Sequence, residues 1–187
     1  MTPPRVLLGI SGGIAAYKAA YLASRLVQDG CQVQAVLSPA ARRFVGEATL
    51  AALTGRAVAS RLFDRRFPLG AHVELAEAQL LCVAPATADF LAKAAHGLAD
   101  DLLSTLYLAF TGPVVMAPAM NPQMWRQPAV QRNVAHLAQD GVILVGPEEG
   151  WVSCRQQGMG RMADPDKILQ VIYEQLAGGT TQPASGL

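Results

Sequence analysis

Residues 5–14 read RVLLGISGGI, and they predict how the rest of the chain is arranged. The first six are an unbroken apolar run, which is typical of a strand buried on both faces of a parallel sheet. Ser11-Gly12-Gly13 makes a turn, and residues 14–28 carry apolar side chains at helical spacing up to Asp29-Gly30, a signal for the end of a helix. Gln32–Leu37 is a second apolar run. A strand, a helix and a strand in this order predict an α/β fold with a central parallel sheet.

The rest of the chain continues this alternation. Apolar runs predict strands at residues 80–84, 113–117 and 142–145. Helices are predicted over residues 38–55, 72–78, 102–110, 128–139 and 164–177, with a further helix ending near residue 96. Residues 146–163 contain five glycine or proline residues and are predicted to form a long loop, which in a compact domain is often functional. We expect one domain over residues 1–177 and a disordered tail at residues 178–187.

The composition excludes several classes of protein. Hydrophobic residues make up 51% of the chain and charged residues only 16%, so we expect part of the apolar surface to be covered by other subunits. The net charge of +1 indicates neither a nucleic-acid nor a membrane surface, and no apolar run reaches the length of a membrane span. Cys31, Cys82 and Cys154 are odd in number and widely spaced, which argues against a disulfide framework and against a metal site. The same cysteines favour a reducing, cytoplasmic location. Because the N-terminus leads directly into a strand, we expect no signal peptide.

Asn121 lies in APAMNPQMW, residues 117–125, directly after a predicted strand. Ligands of open α/β sheets bind beyond the carboxyl ends of the strands. An amide side chain offers one acceptor and two donors in a fixed plane, which suits a carboxylate or another amide. Asn121 is also predicted to cap the helix that starts near Pro122, because proline is favoured at the first helical position. The two roles are compatible.

Small and hydroxyl-bearing residues follow the other strand ends. The turn after the first strand opens a helix, and free N–H groups together with the helix dipole make a phosphate site there. The turn matches neither the dinucleotide fingerprint nor a P-loop. It does match G-x-S-x-G, the nucleophile motif of α/β-hydrolases, but we discount a hydrolase because the match falls on the first strand and the chain is short for that fold. Each hydroxyl taken singly can be a simple helix cap. Together they predict a phosphorylated cofactor across the strand ends, with candidate contacts at Ser11, Gly12, Gly13, Ile14, Ser38, Ala86, Thr87, Ser104 and Met120.

Two further residues are candidates for moving protons. His72 follows Leu69-Gly70-Ala71, and a histidine titrates near neutral pH, so it can act as an acid or a base. Cys154 lies in the long loop ahead of Gly158-Met159-Gly160-Arg161-Met162, where a thiol near an arginine can exchange protons. From the residues alone, a surface histidine and an unreactive loop thiol are equally open.

Taken together, these strings resemble those of the homo-oligomeric flavin-containing cysteine decarboxylases. The family's order is kept from residue 6 to about residue 176. The two most specific strings are Pro-Ala-Met-Asn-x-x-Met-Trp and Cys-x-x-x-Gly-x-Gly-Arg-Met. The segments that match are GISGGIAAYK at 9–18, HVEL at 72–75, APATAD at 84–89, ADDLLST at 99–105, PAMNPQMW at 118–125 and CRQQGMGRM at 154–162.

This resemblance implies a Rossmann-like, flavodoxin-type three-layer fold that binds FMN. It implies an active site at a subunit contact of a homotrimer, which in some members assembles further into a dodecamer. His72 would be the acid–base residue, Asn121 would hold the substrate carboxylate, and Cys154 would protonate the intermediate. The implied reaction of coenzyme A biosynthesis converts 4′-phosphopantothenoylcysteine to 4′-phosphopantetheine. The thiol is oxidised to a thioaldehyde, carbon dioxide leaves, and the enethiol is reduced.

The chain departs from the family pattern at Ser153-Cys154-Arg155, where Ala-Cys-Gly is common. Arg155 could alter closure of the loop or add a phosphate contact. Many bacterial members carry a fused ligase domain, and because this chain ends after its last predicted helix, we expect any ligase to be separate. The alternatives are a peptidyl-cysteine decarboxylase, which would share His72 and Asn121, a flavin prenyltransferase, and a non-catalytic FMN-binding regulatory protein. The presence of both Asn121 and Cys154 weighs against the last two.

Overall fold

A five-stranded parallel sheet forms the centre of the molecule. The computed structural model describes residues 2–178. The strands run in the order β2-β1-β3-β4-β5, the 2-1-3-4-5 order of flavodoxin-like doubly wound sheets. This order confirms the predicted fold class. The strands are β1 (Arg5–Ile10), β2 (Gln32–Leu37), β3 (Leu80–Ala86), β4 (Val114–Pro118) and β5 (Ile143–Leu144).

Helices cover both faces of the sheet and complete three layers. On one face the core includes Val6 and Leu8 of β1, and on the other it includes Leu7, because successive side chains of a strand point to opposite sides. Both faces of β1 are therefore buried, which explains its unbroken apolar run. The first face is covered by α1 (Tyr17–Gln28), α2 (Glu47–Thr54) and α8 (Pro165–Gly178). The second is covered by α3 (Ala71–Leu75), α4 (Ala88–Ala95), α5 (Leu102–Ala109) and α7 (Pro128–Gln139), and a short helix, α6 (Pro122–Arg126), follows β4.

Several predicted boundaries shift. The helix predicted over residues 38–55 is divided into a 3-10 turn at Ala41–Arg43 and α2, which begins only after Gly46. Gly46 is extended, with φ −78° and ψ 140°, so the two helical pieces cannot be continuous. β5 is shorter than predicted: it has two residues, and both pair with β4. α3 ends at Leu75 rather than at residue 78, since the chain turns there to bring the Gln79 N–H to the Arg5 carbonyl at the start of β1.

The prediction of a long loop at residues 146–163 is wrong. This segment folds into an antiparallel two-stranded hairpin of β6 (Glu148–Val152) and β7 (Gln156–Arg161), which we call the hairpin. The turn at its tip is closed by a hydrogen bond from the Arg155 N–H to the Val152 carbonyl, at 2.9 Å. Gly150 gives room to the Arg161 side chain packed over it. The glycines that suggested a loop therefore permit close packing within a ribbon.

The predicted disordered tail, residues 178–187, lies outside the described residues except for Gly178, which is the last residue of α8. Within residues 2–178, none of the helices is both long enough and apolar enough to cross a membrane.

Candidate active site

The carboxyl ends of β1 and β3 are joined by side-chain hydrogen bonds. The Ser11 hydroxyl, only 2% exposed, donates to the Pro85 carbonyl at 2.7 Å. Its oxygen accepts from the Thr87 N–H at 2.9 Å and lies 3.1 Å from the Thr87 hydroxyl. β2 and β3 lie on either side of β1, so this is where the strand order reverses and where ligands of such sheets bind.

Two of the predicted cofactor contacts have hydroxyl groups that are already engaged. The Ser11 hydroxyl donates its hydrogen to the Pro85 carbonyl. Ser104, which is 1% exposed, forms a reciprocal capping box with Asp101 at the start of α5. A hydroxyl has only one hydrogen to donate. Ser11 therefore shapes the backbone at the ends of β1 and β3, whereas Ser104, which was predicted to follow a strand, lies in the first turn of α5 and helps to cap that helix. Direct cofactor contacts by either side chain stay predictions.

The glycine turn after β1 is packed tightly against the segments that follow β2 and β3. A Cβ on Gly12 would lie 2.9 Å from the Ala40 carbonyl carbon, and one on Gly13 would lie 3.1 Å from the Thr87 side chain. The turn opens a 3-10 helix at Ile14–Ala16, whose first N–H groups have no partner within the helix. Ile14 itself is 57% exposed. Gly12 and Gly13 are partly exposed, and no backbone acceptor for their N–H groups is found in residues 2–178, so the turn offers backbone donors to a ligand.

Ser38 differs from Ser11, because its hydroxyl hydrogen is not used within the described residues. The side chain is 7% exposed, and its oxygen accepts from the Ala41 N–H at 3.3 Å. No hydrogen bond donated by this hydroxyl is found in residues 2–178. Ser38 can therefore donate to an anionic oxygen next to the glycine turn.

Asn121 caps α6, as predicted. Its Oδ1 accepts from the Met124 N–H at 2.8 Å, and Pro122 occupies the first helical position. Because an N–H must meet an oxygen, this bond fixes the orientation of the amide. The exposed side chain then turns its Nδ2 group, with two hydrogens, away from the helix. One side chain can cap the helix and still bind a carboxylate.

The hairpin docks on the loop that carries Asn121. The Met120 N–H donates to the Gly160 carbonyl at 3.0 Å, and the Ala119 N–H donates to the Ala86 carbonyl at 3.0 Å. A Cβ on Gly158 would lie 3.0 Å from the Pro122 ring. Met120 and Ala86, both predicted cofactor contacts, therefore lie in one hydrogen-bonded layer at the carboxyl ends of β3 and β4.

The base of the hairpin is held by charged residues to which the sequence patterns assign no role. Glu148 accepts from Arg161 at 2.9 Å and from Lys167 at 2.6 Å, and the hydrogen bond from Lys167 is the main reason that its pKa is lowered. The Lys18 ammonium lies 3.4 Å from the Met162 carbonyl, and its pKa is lowered, first by burial and then by Arg161. Lys18 lies four residues after Ile14, on the next turn of the helical segment. This spacing is the one sequence signal that could have indicated that Lys18 lies near the glycine turn.

Cys154 lies at the exposed tip of the hairpin, whereas Cys31 and Cys82 are buried. Burial raises the pKa of the Cys82 thiol to about 12 and also raises that of Cys31. Of the three thiols, only Cys154 is accessible to a substrate. Within residues 2–178, no group of three or more histidine, cysteine, aspartate or glutamate side chains is arranged to hold a metal ion.

His72 belongs to the helix that precedes β3 in the chain. No hydrogen bond or ion pair among residues 2–178 joins His72, in α3, to Asn121 or Cys154. Its Nδ1 atom is buried and has no hydrogen-bond partner in the described part of the chain. Within one copy of the chain, no hydrogen bond among residues 2–178 links His72 to the strand-end residues, and the apolar side chains of Leu69 and Val73 near it in the sequence are exposed, at 76% and 47%.

Comparison with known proteins identifies relatives along almost the whole chain. Coenzyme A biosynthesis bifunctional protein CoaBC of Bacillus subtilis (strain 168) is 43% identical over 183 residues, which cover 97% of this chain and 45% of that protein. CoaBC of Vibrio parahaemolyticus serotype O3:K6 is 46% identical over 169 residues, 89% of this chain and 42% of that protein. The chain thus spans less than half the length of these curated relatives.

Solved structures agree with this similarity. The FMN-dependent cysteine decarboxylase SpaF is 37% identical with a TM-score of 0.84, and the match covers 96% of this chain and 99% of that one. A mutant PPC decarboxylase complexed with pantothenoylaminoethenethiol is 30% identical with a TM-score of 0.81, covering 92% and 99%. The family model described as Flavoprotein matches residues 1–177. The chain belongs to the Flavoprotein family.

Proposed function

We propose that this chain catalyses the FMN-dependent decarboxylation of 4′-phosphopantothenoylcysteine to 4′-phosphopantetheine, a step of coenzyme A biosynthesis in the cytoplasm. The observation that carries the proposal is the docking of the Cys154 hairpin on the Asn121 loop, through the Met120–Gly160 hydrogen bond. It puts a free thiol on a ribbon attached beside an amide suited to a carboxylate. The similarity to CoaBC proteins and to a PPC decarboxylase supports the same reaction.

The strand-end crevice fits FMN. The phosphate would meet the backbone N–H groups of the Gly12–Gly13 turn and the unused Ser38 hydroxyl hydrogen, with the helix dipole behind them. A side chain at Gly12 would displace this turn, because a Cβ there would lie 2.9 Å from the Ala40 carbonyl carbon. Ala86, Thr87 and Met120 would line the rest of the crevice. Bound FMN would supply the two-electron redox chemistry that oxidation of the cysteinyl thiol needs.

The chain's own residues then have separate tasks. The Nδ2 group of Asn121 donates to the substrate carboxylate, which fixes the cysteinyl end of the substrate while Oδ1 keeps the α6 cap. The Cys154 thiol supplies the proton that the enethiol carbon needs when it is reduced. A thiol suits this task because its pKa is far closer to neutral than that of a hydroxyl.

His72 is the proposed acid–base residue of the oxidation step, and it implies an assembly. Its buried Nδ1 lacks a partner within the described residues, and the apolar side chains beside it are exposed. We therefore propose a homotrimer, alone or within a dodecamer, in which His72 of one copy completes the strand-end site of the next. The low charged fraction of 16% favours such an assembly.

A second candidate is a cysteine decarboxylase that acts on a different cysteine-bearing molecule, such as a peptide with a C-terminal cysteine. The similarity at 37% identity to SpaF, an FMN-dependent cysteine decarboxylase, is compatible with either substrate, whereas the similarity to CoaBC proteins at 43–46% favours the small substrate. The two candidates share the first half-reaction and differ in whether the enethiol is reduced.

The decisive experiment combines a spectrum with a substrate comparison. The purified protein should be yellow, and it should release carbon dioxide from 4′-phosphopantothenoylcysteine and form 4′-phosphopantetheine. A preparation that stays colourless with added FMN, or that decarboxylates only the peptide, would overturn the proposal. Carbon dioxide release without a fully reduced product would favour the second candidate.

Two variants separate the half-reactions. Cys154→Ser should still release carbon dioxide but should accumulate the unreduced enethiol, whereas Ser153→Ala, at the same hairpin tip, should form the normal product. His72→Asn should lose carbon dioxide release, whereas His136→Asn, on the exposed side of α7, should keep it. Mass spectrometry of the products reads both outcomes. Full reduction by Cys154→Ser at the wild-type rate would remove the thiol from the mechanism.

A further inference from the structure

Gly160 is the point at which the hairpin meets the Asn121 loop. Its carbonyl accepts the Met120 N–H at 3.0 Å, one residue before Asn121. It lies on β7, six residues from Cys154. This hydrogen bond connects the ribbon with the thiol to the loop with the amide.

No other residue type can occupy this position without moving the two segments apart. The φ angle of Gly160 is +139°, a conformation that L side chains rarely adopt. A Cβ there would lie closer than 3.0 Å to the Met120 carbonyl oxygen and 3.3 Å from the Asn121 carbonyl carbon. Both neighbours are backbone atoms, so neither can rotate away as a side chain would.

We propose that Gly160 is a positioning residue that sets the distance between the Cys154 thiol and the substrate held at Asn121. This inference rests on the proposed function. Contact between two backbones fixes the ribbon more closely than a side-chain contact would, since a side chain keeps rotational freedom. The thiol therefore reaches the enethiol carbon in a defined geometry.

The hairpin has other attachments, so loss of the Gly160 contact should move it rather than unfold it. Its two strands pair with each other, and Glu148 at its base bonds to Lys167 of α8. The next residue but one, Met162, is buried, and its carbonyl accepts from Lys18. Displacement should therefore be greatest along the strand that leads to Cys154.

The test compares Gly160→Ala with two matched glycine variants in the FMN-loaded enzyme. Gly141 also has a positive φ, +89°, but a Cβ there meets nothing within 4 Å, so Gly141→Ala carries the backbone strain without the clash. Gly150 lies in the same hairpin, and the three atoms nearest to a Cβ there all belong to the Arg161 side chain, which is flexible and can move. A misplacement of the order of 1 Å can slow a reaction about 100-fold.

We expect Gly160→Ala to release carbon dioxide normally but to form the fully reduced product about 100-fold more slowly. Gly141→Ala and Gly150→Ala should keep the wild-type ratio of reduced to unreduced product. The inference is wrong if Gly160→Ala keeps that ratio, or if Gly141→Ala changes it equally. A general loss of stability would slow both half-reactions together and so would also contradict it.

Amide hydrogen exchange tests the contact without any assay of activity. In the wild-type protein the Met120 amide should be protected as strongly as amides of β4, and in Gly160→Ala it should exchange at least about tenfold faster. Rapid exchange in the wild type overturns the inference even if Gly160→Ala cannot be purified. If the wild type has no decarboxylase activity but Met120 is protected, the proposed function fails while the hairpin contact stands.

Discussion

The Ser11 hydroxyl links two strand ends, and its removal should cost measurable stability. In Ser11→Ala the Thr87 N–H loses its acceptor at 2.9 Å, whereas the Pro85 carbonyl keeps the bond from the Ser11 N–H at 3.2 Å. One donor is therefore left unsatisfied at a site where Ser11 is 2% exposed. A buried unsatisfied group costs about 1–3 kcal/mol. For a chain of this size, that loss lowers Tm by roughly 2–12 °C.

Thermal and urea unfolding of wild type and variant measure this loss, at one protein and one FMN concentration. Ser24→Ala is the matched control, because Ser24 only accepts a surface hydrogen bond from Gln28 within α1. That control should stay within about 0.5 kcal/mol of wild type. A Ser11→Ala protein as stable as Ser24→Ala would refute the reasoning.

FMN titration adds a second arm to this prediction. Ser38 has an unused hydroxyl hydrogen, and a hydrogen bond to a charged group contributes about 1.5–3 kcal/mol. Ser38→Ala should therefore weaken FMN binding by roughly 10- to 150-fold, with a smaller effect on Tm than Ser11→Ala. If Ser11→Ala and Ser38→Ala changed FMN affinity and Tm equally, the assignment of a structural role to the Ser11 hydroxyl and of a binding role to the Ser38 hydroxyl would be wrong.

Three other predictions concern the Asn121 loop and the hairpin. Asn121→Asp should have the same free energy of unfolding as wild type, because aspartate caps a helix equally well. It should lose turnover, since a carboxylate would face the substrate carboxylate. A retained kcat/KM would contradict the role assigned to Asn121. Arg155→Gly should raise the free energy of unfolding by about 0.5 kcal/mol, because Arg155 has φ +60°, which glycine adopts without strain. The Arg155 guanidinium has no partner within residues 2–178, so no contact is lost. A lower Tm would contradict this prediction. The Glu148 pKa is lowered by the hydrogen bond from Lys167, so its stabilising effect is present above the unfolded pKa of about 4.3 and is lost as pH falls through the folded pKa. The Tm difference between wild type and Glu148→Gln should shrink over that acidic range, and a difference independent of pH would count against the ion pairs.

The strands and most helices could be predicted from the sequence because their signals are local. The apolar run of β1 reports burial on both faces, and Asn121 followed by Pro122 specifies a helix start within four residues. The glycine turn after β1 was equally readable, since a helix start always leaves backbone donors free. The assignment of a phosphate to this turn rests on the same local signal and stays a prediction.

The hairpin shows where local signals fail. Glycines at 150, 158 and 160 favour a loop when neighbours in sequence are all that is considered. In the folded chain these glycines face Arg161, Pro122 and the Met120 carbonyl, and close packing requires that they have no side chain. Neither the pairing of β6 with β7 nor the docking on the Asn121 loop is encoded in any short stretch.

The sequence by itself determined the parallel α/β architecture and the strand-end turn, because residue type and periodicity reflect burial and local hydrogen bonding, whereas the proton-transfer roles of His72 and Cys154 stay predictions from the resemblance. Tertiary structure alone decided how the strand-end residues are used. It used the Ser11 hydroxyl hydrogen within the protein, left that of Ser38 without an acceptor in residues 2–178, and attached the Cys154 ribbon to the Asn121 loop. These outcomes depend on contacts between segments far apart in the chain, such as the 74 residues from Ser11 to Pro85. Their geometry exists only after the sheet has formed.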